Sequence, residues 1–468
     1  MTLRQFIYPL TVAILSGMAV SSCSSTDSEP IIPDNGETSA TGRITMSISA
    51  APLAVSSTRA NFPELPAESK ELINEWYIAF VDVDGNVVAV EDNSKLPGVW
   101  NDVVSTELQL NKIYTAFAFA NFQDSPKASD GNEKYSGSAE YAKTLGLEKG
   151  KRININDIKE SVYSDKRLYL NKEELIPMAG YLEFTPKGTV NETFAIEVVR
   201  LYSRVEFAFV KNINTKIKIN SISLDHINSG SINLMPDYNK KPYPDNEWPG
   251  NNPSLPSEEN TTSEIKLNLN DFEVQDDSGE GNDDPAQRIR FYIKESIVNK
   301  GERFKIGLNL ERIDGDNEVE ESIERLTDEN LRFFYRNDYV LFPITFNYTP
   351  EIRVYDYPPI GGYPVKVTNV GTAYTAMFSS SGAFDIETSL VDRDGKIIKL
   401  GTDEGKSNYV EWTLPKTPED LKLEFDEKSK RWVGDFPFDY KESITIDFKF
   451  HVGDLIYSRS LTLKVGLP

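Results

Sequence analysis

The run FAIEVVRLYSRVEFAF, residues 194–209, decides how the rest of the chain is read. Phe194, Ile196 and Val198 keep one parity, and Leu201, Ser203, Val205, Phe207 and Phe209 keep the other. Alternation at period two is the mark of a strand. A phase slip near Val199 and Arg200 fits either a bulge or a crossing between domains, and a boundary is placed there. Upstream, Ile44, Met46 and Ile48 alternate with polar residues as a half-buried strand standing alone before a Ser- and Pro-rich loop. A short helical stretch is predicted over residues 68–74. Trp76, Ile78 and Phe80 then alternate into Asp84-Gly85, a hairpin dipeptide, and residues 87–90 return. Residues 113–122 and 181–184 add strands. Downstream, residues 217–224, 288–293, 304–310 and 339–346 have the same pattern, interrupted by a Pro-rich insertion over 238–264.

A second boundary is marked by Pro358, Pro359, Gly361, Gly362 and Pro364. Beyond it, strands near 365–368, 383–391, 396–400, 410–414, 443–450 and 456–465 are spaced as in an immunoglobulin-like sandwich. Asp394-Gly395 within residues 390–398 echoes Asp84-Gly85 within residues 80–88. Long helical periodicity is missing throughout, so the chain reads as all-β, built of tandem β-sandwiches.

Composition narrows the function. The 468 residues, at about 150 per domain, suggest about three domains. Lys and Arg number 50 against 73 Asp and Glu, a formal net charge of −23. Such a chain repels phosphate backbones and anionic lipid, so no nucleic-acid partner is expected. Two histidines, His226 and His451, and one cysteine, Cys23, leave no internal disulfide, no Cys/His zinc cluster and little room for a nucleophile–His triad. No catalytic residue, metal or cofactor is expected. Acidic stretches over 271–284 and 314–321 read as solvated loops, because neither matches a twelve-residue calcium loop. Among five tryptophans, Trp76 and Trp412 lie on strand patterns, and Trp248 in the Pro-rich insertion is the candidate ligand contact.

The N-terminus carries Arg4 and an apolar run over residues 6–20, too short for a membrane span and interrupted by Pro9, so it reads as an export signal. Val20-Ser21-Ser22-Cys23 resembles a bacterial lipobox, which implies lipidation of Cys23 and removal of residues 1–22. A polar tether follows over residues 24–39.

Further residues resemble a family. The order runs from the lipobox and isolated strand to Ser57-Thr58-Arg59-Ala60, then Ile73-Asn74-Glu75-Trp76-Tyr77-Ile78-Ala79-Phe80. It continues with Ile176-Pro177-Met178-Ala179-Gly180, Val199-Arg200-Leu201-Tyr202-Ser203-Arg204-Val205-Glu206, Phe291-Tyr292-Ile293-Lys294-Glu295 and Arg336-Asn337-Asp338-Tyr339. This order resembles the fimbrial subunits of Bacteroidales, the type V pilins. The resemblance covers residues 23 to about 346 and implies a propeptide over 23–59 and two pilin-like sandwiches of transthyretin or Greek-key type over 60–199 and 200–355, while the strand spacing beyond makes 356–468 a third, immunoglobulin-like domain. It also implies a lipidated outer-membrane precursor, cut by an Arg-specific protease between Arg59 and Ala60. The strand carrying Ile44, Met46 and Ile48 would then leave, opening a groove for a neighbouring subunit's strand. Arg43 is a second candidate cut, read as preceding that strand.

The expected partners are other fimbrial subunits and host or bacterial surface receptors, and the membrane is met only through the precursor's lipid. Leu461, Leu463, Val465 and Leu467 are a candidate donor strand, or else they close the third domain by pairing with Ile444, Ile446, Phe448 and Phe450. The third domain departs from a simple shaft subunit and favours an accessory or tip role. The alternatives are an anchor subunit, a surface glycan-binding lipoprotein of tandem sandwiches, and, more weakly, a carboxylate-dependent glycosidase.

Overall fold

The structure is a computed structural model. It describes residues 40–55, 67–123, 136–165, 167–188, 192–235, 262–276, 287–298, 302–314, 317–328, 331–357, 364–414, 421–437 and 440–466. Strands take 61% of these residues and helices 4%, so the chain is all-β. Cys23, Arg59, Ala60, Trp248 and Leu467 lie outside the described residues.

The first leg opens with β1 (Thr41–Ala50) and β2 (Ala54–Val55). Where a helical stretch was predicted over 68–74, only a 3-10 turn forms, Ser69–Glu71; Leu72 leaves it extended and Ile73 bridges to Val99. The predicted hairpin follows as β3 (Trp76–Asp82) and β4 (Val87–Asn93), then β5 (Asn101–Gln109) and β6 (Tyr114–Ala120). Two short helices, α1 (Ser138–Thr144) and α2 (Ile155–Lys159), precede β7 (Val162–Tyr163), β8 (Tyr169–Asn171), β9 (Met178–Phe184) and β10 (Thr193–Arg200). Seven of these strands make one sheet in the order β4-β3-β6-β9-β10-β1-β5. Its middle is covered on both faces: Ile78, Phe80, Ala116 and Ala118 pack on one side, and Tyr77, Ala79, Phe117 and Phe119 on the other. Two buried faces explain why β3 and β6 are apolar at nearly every position.

Leu201 is the single residue between β10 and β11 (Tyr202–Lys211), and there the chain passes from this sheet into the next. The second leg continues through β12 (Lys216–Asn228), β13 (Ile232–Asn233), β14 (Thr262–Glu273), β15 (Gln287–Lys294), β16 (Ser296–Ile297), β17 (Lys305–Asp314), β18 (Asn317–Leu326), β19 (Phe333–Phe334) and β20 (Asp338–Phe346). A five-stranded sheet runs β2-β20-β11-β15-β8.

Both acidic stretches need correction. Residues 262–264, assigned to the insertion, and residues 271–273, assigned to an acidic loop, belong to β14. The second stretch lies mostly on the β17–β18 hairpin, where Glu321 is buried. Within the described parts of both stretches Glu273, Asp276, Glu318 and Glu320 are exposed as expected, and Glu321 is the acid that the strand pairing buries.

The third leg comprises β21 (Thr349–Asp356), β22 (Lys366–Val370), β23 (Ala373–Phe378), β24 (Ala383–Val391), β25 (Ile397–Lys399), β26 (Asn408–Thr413), β27 (Lys422–Asp426), β28 (Arg431–Asp435), β29 (Ser443–Val452) and β30 (Leu455–Val465). A nine-stranded sheet joins the second leg to the third along β14-β12-β17-β18-β30-β23-β22, with β29 pairing both β30 and β26. The seam pairs Ile323 with Tyr457, Glu324 with Ile456 and Arg325 with Leu455. One apolar core extends from Phe207 and Phe342 to Trp432 and Phe448. A second five-stranded sheet, β21-β24-β28-β27 with β25 on β24, covers it.

Candidate functional site

β1 occupies the position that decides what the fold can do. It runs antiparallel to β5, from Thr41 opposite Gln109 to Ser49 opposite Asn101, and parallel to β10, from Thr45 opposite Thr193 to Ala50 opposite Val198. The strand read as isolated in sequence therefore lies between two others, laddered on both edges. Ile44 is 1% exposed, and Met46 and Ile48 are 0% exposed, against Ile78, Phe80, Val104, Ile196 and Val198. At about 1.5–3 kcal/mol for each large apolar side chain, these three residues seal the first core. Arg43 lies inside β1 opposite Glu107, not before the strand, so a cut there would leave Ile44 to Ala50 in the sheet.

Beyond Ala50 the chain stays tied. The Ala50 N–H donates to the Trp100 carbonyl at 2.9 Å and the Ala51 N–H to the Val198 carbonyl at 2.9 Å. The Ala51 carbonyl accepts from Arg200 Nη1 at 2.6 Å, and the Pro52 carbonyl accepts from Asn337 Nδ2 at 2.5 Å. Leu53 packs beside Ala208, Tyr339 and Leu341, and β2 then pairs parallel with β20 at Asp338 and Tyr339. Residues 41–55 thus supply a central strand to one sheet and an edge strand to another.

The floor beneath this segment is an ionic junction. Glu206 accepts from Arg204 Nη2 at 2.6 Å, Arg288 Nη1 at 2.9 Å, Arg290 Nε at 2.5 Å and the Tyr339 hydroxyl at 2.8 Å. Burial pushes the Glu206 carboxyl up, but the Arg204 and Arg290 guanidiniums more than offset it and hold it at about 2. Arg204 also reaches Glu71 on the 3-10 turn at 3.3 Å, so the junction ties the first leg to the second. Removing one partner from a buried ionic cluster of this kind leaves the others uncompensated and is strongly destabilising.

Other candidates fall elsewhere. Leu461 and Leu463 are fully buried and Val465 is half-buried in β30, which pairs with β29 from Leu455 to Lys464 and with β23 from Ser460 to Val465. Of the two uses open to the C-terminal strand, the structure contains the hairpin within its own sheet. Trp76 is buried and donates to Asp102 at 2.8 Å, and Trp412 is half-buried against Trp432. Trp100 is 47% exposed and lies 5.7 Å from the Arg200 guanidinium. Among the described residues no group of three or more His, Cys, Asp or Glu side chains is placed to hold a metal ion, and no helix is long and apolar enough to cross a membrane.

Sequence reasoning missed β5, Trp100 and the roles of Arg200 and Asn337. In β5 the inward positions are Val104, Thr106 and Leu108 while Val103 is 61% exposed, so its apolar residues show no clean alternation. An arginine inside an apolar strand run was the available signal for Arg200.

No protein-family model matches the chain, and no curated protein does. Solved structures do resemble it. A candidate cell adhesion protein from Parabacteroides distasonis is 11% identical over 65% of this chain and 88% of its own, with a TM-score of 0.38. A fimbrial assembly protein from the same organism is 10% identical, covering 77% and 99% at a TM-score of 0.34. A tip fimbrial protein from Porphyromonas gingivalis, with C-terminal truncation, is 12% identical, covering 75% and 99% at a TM-score of 0.34. These neighbours are fimbrial and adhesion proteins of Bacteroidales.

Proposed function

We propose that the chain is the precursor of a structural or adhesive subunit of a bacterial fimbrium, in an accessory or tip role and without catalysis. It is exported by its N-terminal signal, lipidated at Cys23, reaches the outer membrane, and is cut there by an Arg-specific protease between Arg59 and Ala60. The segment before Ala60 leaves, and another subunit's strand takes its place by β-augmentation. The mature protein then belongs to the cell-surface fimbrium, where further subunits and surface receptors are its partners.

One observation carries this reading. β1, the first strand among the described residues, is laddered on both edges, by β10 and β5, and is followed within the described residues by the segment through Val55 that lies before Arg59. Loss of a terminal strand from such a position leaves two rows of unpaired N–H and C=O groups and an uncovered apolar face, which is a template for an incoming strand.

Intact-mass and N-terminal analysis of protein taken from its native cell surface tests the proposal. A start at Ala60 is expected, and the Arg59→Ala chain should remain uncut. A surface protein that starts at an acylated Cys23 overturns strand removal and leaves a lipid-anchored subunit.

A further inference from the structure

The exchange reading leaves open what distinguishes a correct incoming strand from any other apolar one. Arg200 and Asn337 bear on this. Arg200 is 1% exposed, and its Nε and Nη2 donate to the Glu71 carbonyl at 2.9 and 2.6 Å. Its Nη1 is divided between the Ala51 carbonyl and, at 2.7 Å, the Asn337 Oδ1. Asn337 sits in the left-handed region at φ 62°, with its N–H donating to the Tyr202 carbonyl at 3.1 Å. Its Nδ2 donates to the Pro52 carbonyl. Each side chain is therefore fixed by groups that stay with the body of the protein, and each aims one N–H at a carbonyl of the segment before Ala60.

Resting on the exchange reading, we propose that Arg200 and Asn337 are positioning residues that read two successive backbone carbonyls of the incoming strand and so set its register. When the first segment leaves, Glu71 and the Arg200–Asn337 bond still hold both side chains in place. Asn337 Nδ2 is left without its carbonyl, and Arg200 Nη1 keeps only the Asn337 oxygen. A buried donor left unpaired has lost its water without gaining a partner, which disfavours the complex. A strand that fills only the ladder, up to the position of Ala50, leaves that cost in place. A strand that continues two residues further removes it.

The occupant is an extended segment of a different subunit. A second copy of this chain does not supply it from its C-terminus, because β30 is laddered on both edges by β29 and β23. The inward positions of β1 define the partner's chemistry: apolar residues at the places of Ile44, Met46 and Ile48, then small residues at those of Ala50 and Ala51. Its backbone then continues, carbonyls toward Arg200 and Asn337, to the free edge of β20.

The test uses the full chain after cleavage at Arg59 and fluorescent synthetic peptides. One copies residues 40–55, one stops at residue 50 with an amidated end, and one copies 40–55 with an ester in place of the Pro52–Leu53 amide, which weakens the Pro52 carbonyl as an acceptor. The long peptide should bind about tenfold more tightly than the short one, and the ester should lose several-fold. Asn337→Ala should abolish the ester's deficit, which a merely structural role would leave unchanged. Equal affinity of the amide and ester peptides for the unsubstituted protein overturns the carbonyl reader alone, whether or not the variant folds. Failure of every peptide to bind overturns strand exchange itself, and the reader with it.

Discussion

The carboxylate of Glu321 on β18 is paired with the guanidinium of Arg459 on β30, and each side chain is 1% exposed. This pair lies beside the seam at which the second leg of the chain and the last strand become one sheet. Asp454 adds a partly exposed pair with Arg325 at 3.7 Å on the same seam. The C-terminal region is therefore mortised onto its predecessor, and does not hang from it as a bead.

The first prediction follows from that pair. Glu321→Ala leaves Arg459 buried without its counter-ion and should cost about 3–5 kcal/mol, whereas Glu321→Leu combined with Arg459→Met should recover most of it. Because the core from Phe207 to Phe448 is continuous, urea unfolding of residues 202–465 in the full chain should follow one transition, shifted by Glu321→Ala. Two separated transitions, only one of which moves, would show that the legs fold independently.

A second prediction concerns the first strand. Ile48 is fully buried, and Ile48→Ala in the uncut chain should destabilise it by about 2–5 kcal/mol. Ser47 is half-buried on the opposite parity and makes a single long bond of 3.4 Å to the Phe194 carbonyl, so Ser47→Ala should cost less than about 1 kcal/mol. Urea denaturation of the two variants checks this. Equal effects would mean that β1 is slipped by one residue from the register described.

Much of the fold is legible in the sequence where side-chain period alone sets burial. The phase slip in residues 194–209 marks where Leu201 carries the chain between sheets. The echo of the two Asp-Gly turns is also physical: Asp82 Oδ1 accepts from the N–H groups of Asp84 and Asn86 at 3.0 and 2.8 Å, and Asp392 Oδ1 accepts from those of Asp394 and Lys396 at the same distances. What could not be read depends on partners far along the chain. Glu321 looks like one more acid in a charged run until Arg459 covers it, and Arg200 looks like a strand's polar interruption until Ala51 and Asn337 arrive. That the strand holding Ile44, Met46 and Ile48 is central and not an edge depends on β5, whose Thr106 and exposed Val103 obscure its alternation.

A third prediction is a pH dependence with two opposite signs. The Glu206 carboxyl, ordinarily near 4.5, is held at about 2. A depressed carboxyl contributes stability that is full above about 4.5 and is lost as pH falls through about 2. Glu206→Gln should therefore be several kcal/mol less stable than the parent at pH 7, and the two should converge toward pH 2. Asp338 is the reverse case. Burial, and then the Glu295 charge against a Tyr335 backbone bond, push it from 3.8 to about 7. Its contribution is full below about 3.8 and is lost as pH rises through 7, so Asp338→Asn should match the parent near pH 4 and exceed it above pH 7. Urea midpoints between pH 2 and 8 check both signs, and parallel parent and variant curves would dismiss both assignments.

The last prediction concerns Gly434, which pairs directly with Phe384 across β28 and β24. A Cβ built there would lie 2.3 Å from the Phe384 Cζ and 2.7 Å from its Cε1. The ring has little room to yield, because it is fully buried and its centroid is 4.6 Å from that of Phe436 and 5.4 Å from that of Phe378. The requirement is steric and not one of backbone conformation: the ring lies over the glycine and fills the space that a side chain would take. Gly434→Ala should cost about 1–3 kcal/mol through displacement of that ring. In a Phe384→Leu background, where the aromatic ring is gone, the same substitution should cost markedly less, so the double-mutant cycle should show coupling. Additive effects of the two substitutions in urea unfolding would mean that ring and glycine do not share the space, and that Gly434 stands there for another reason.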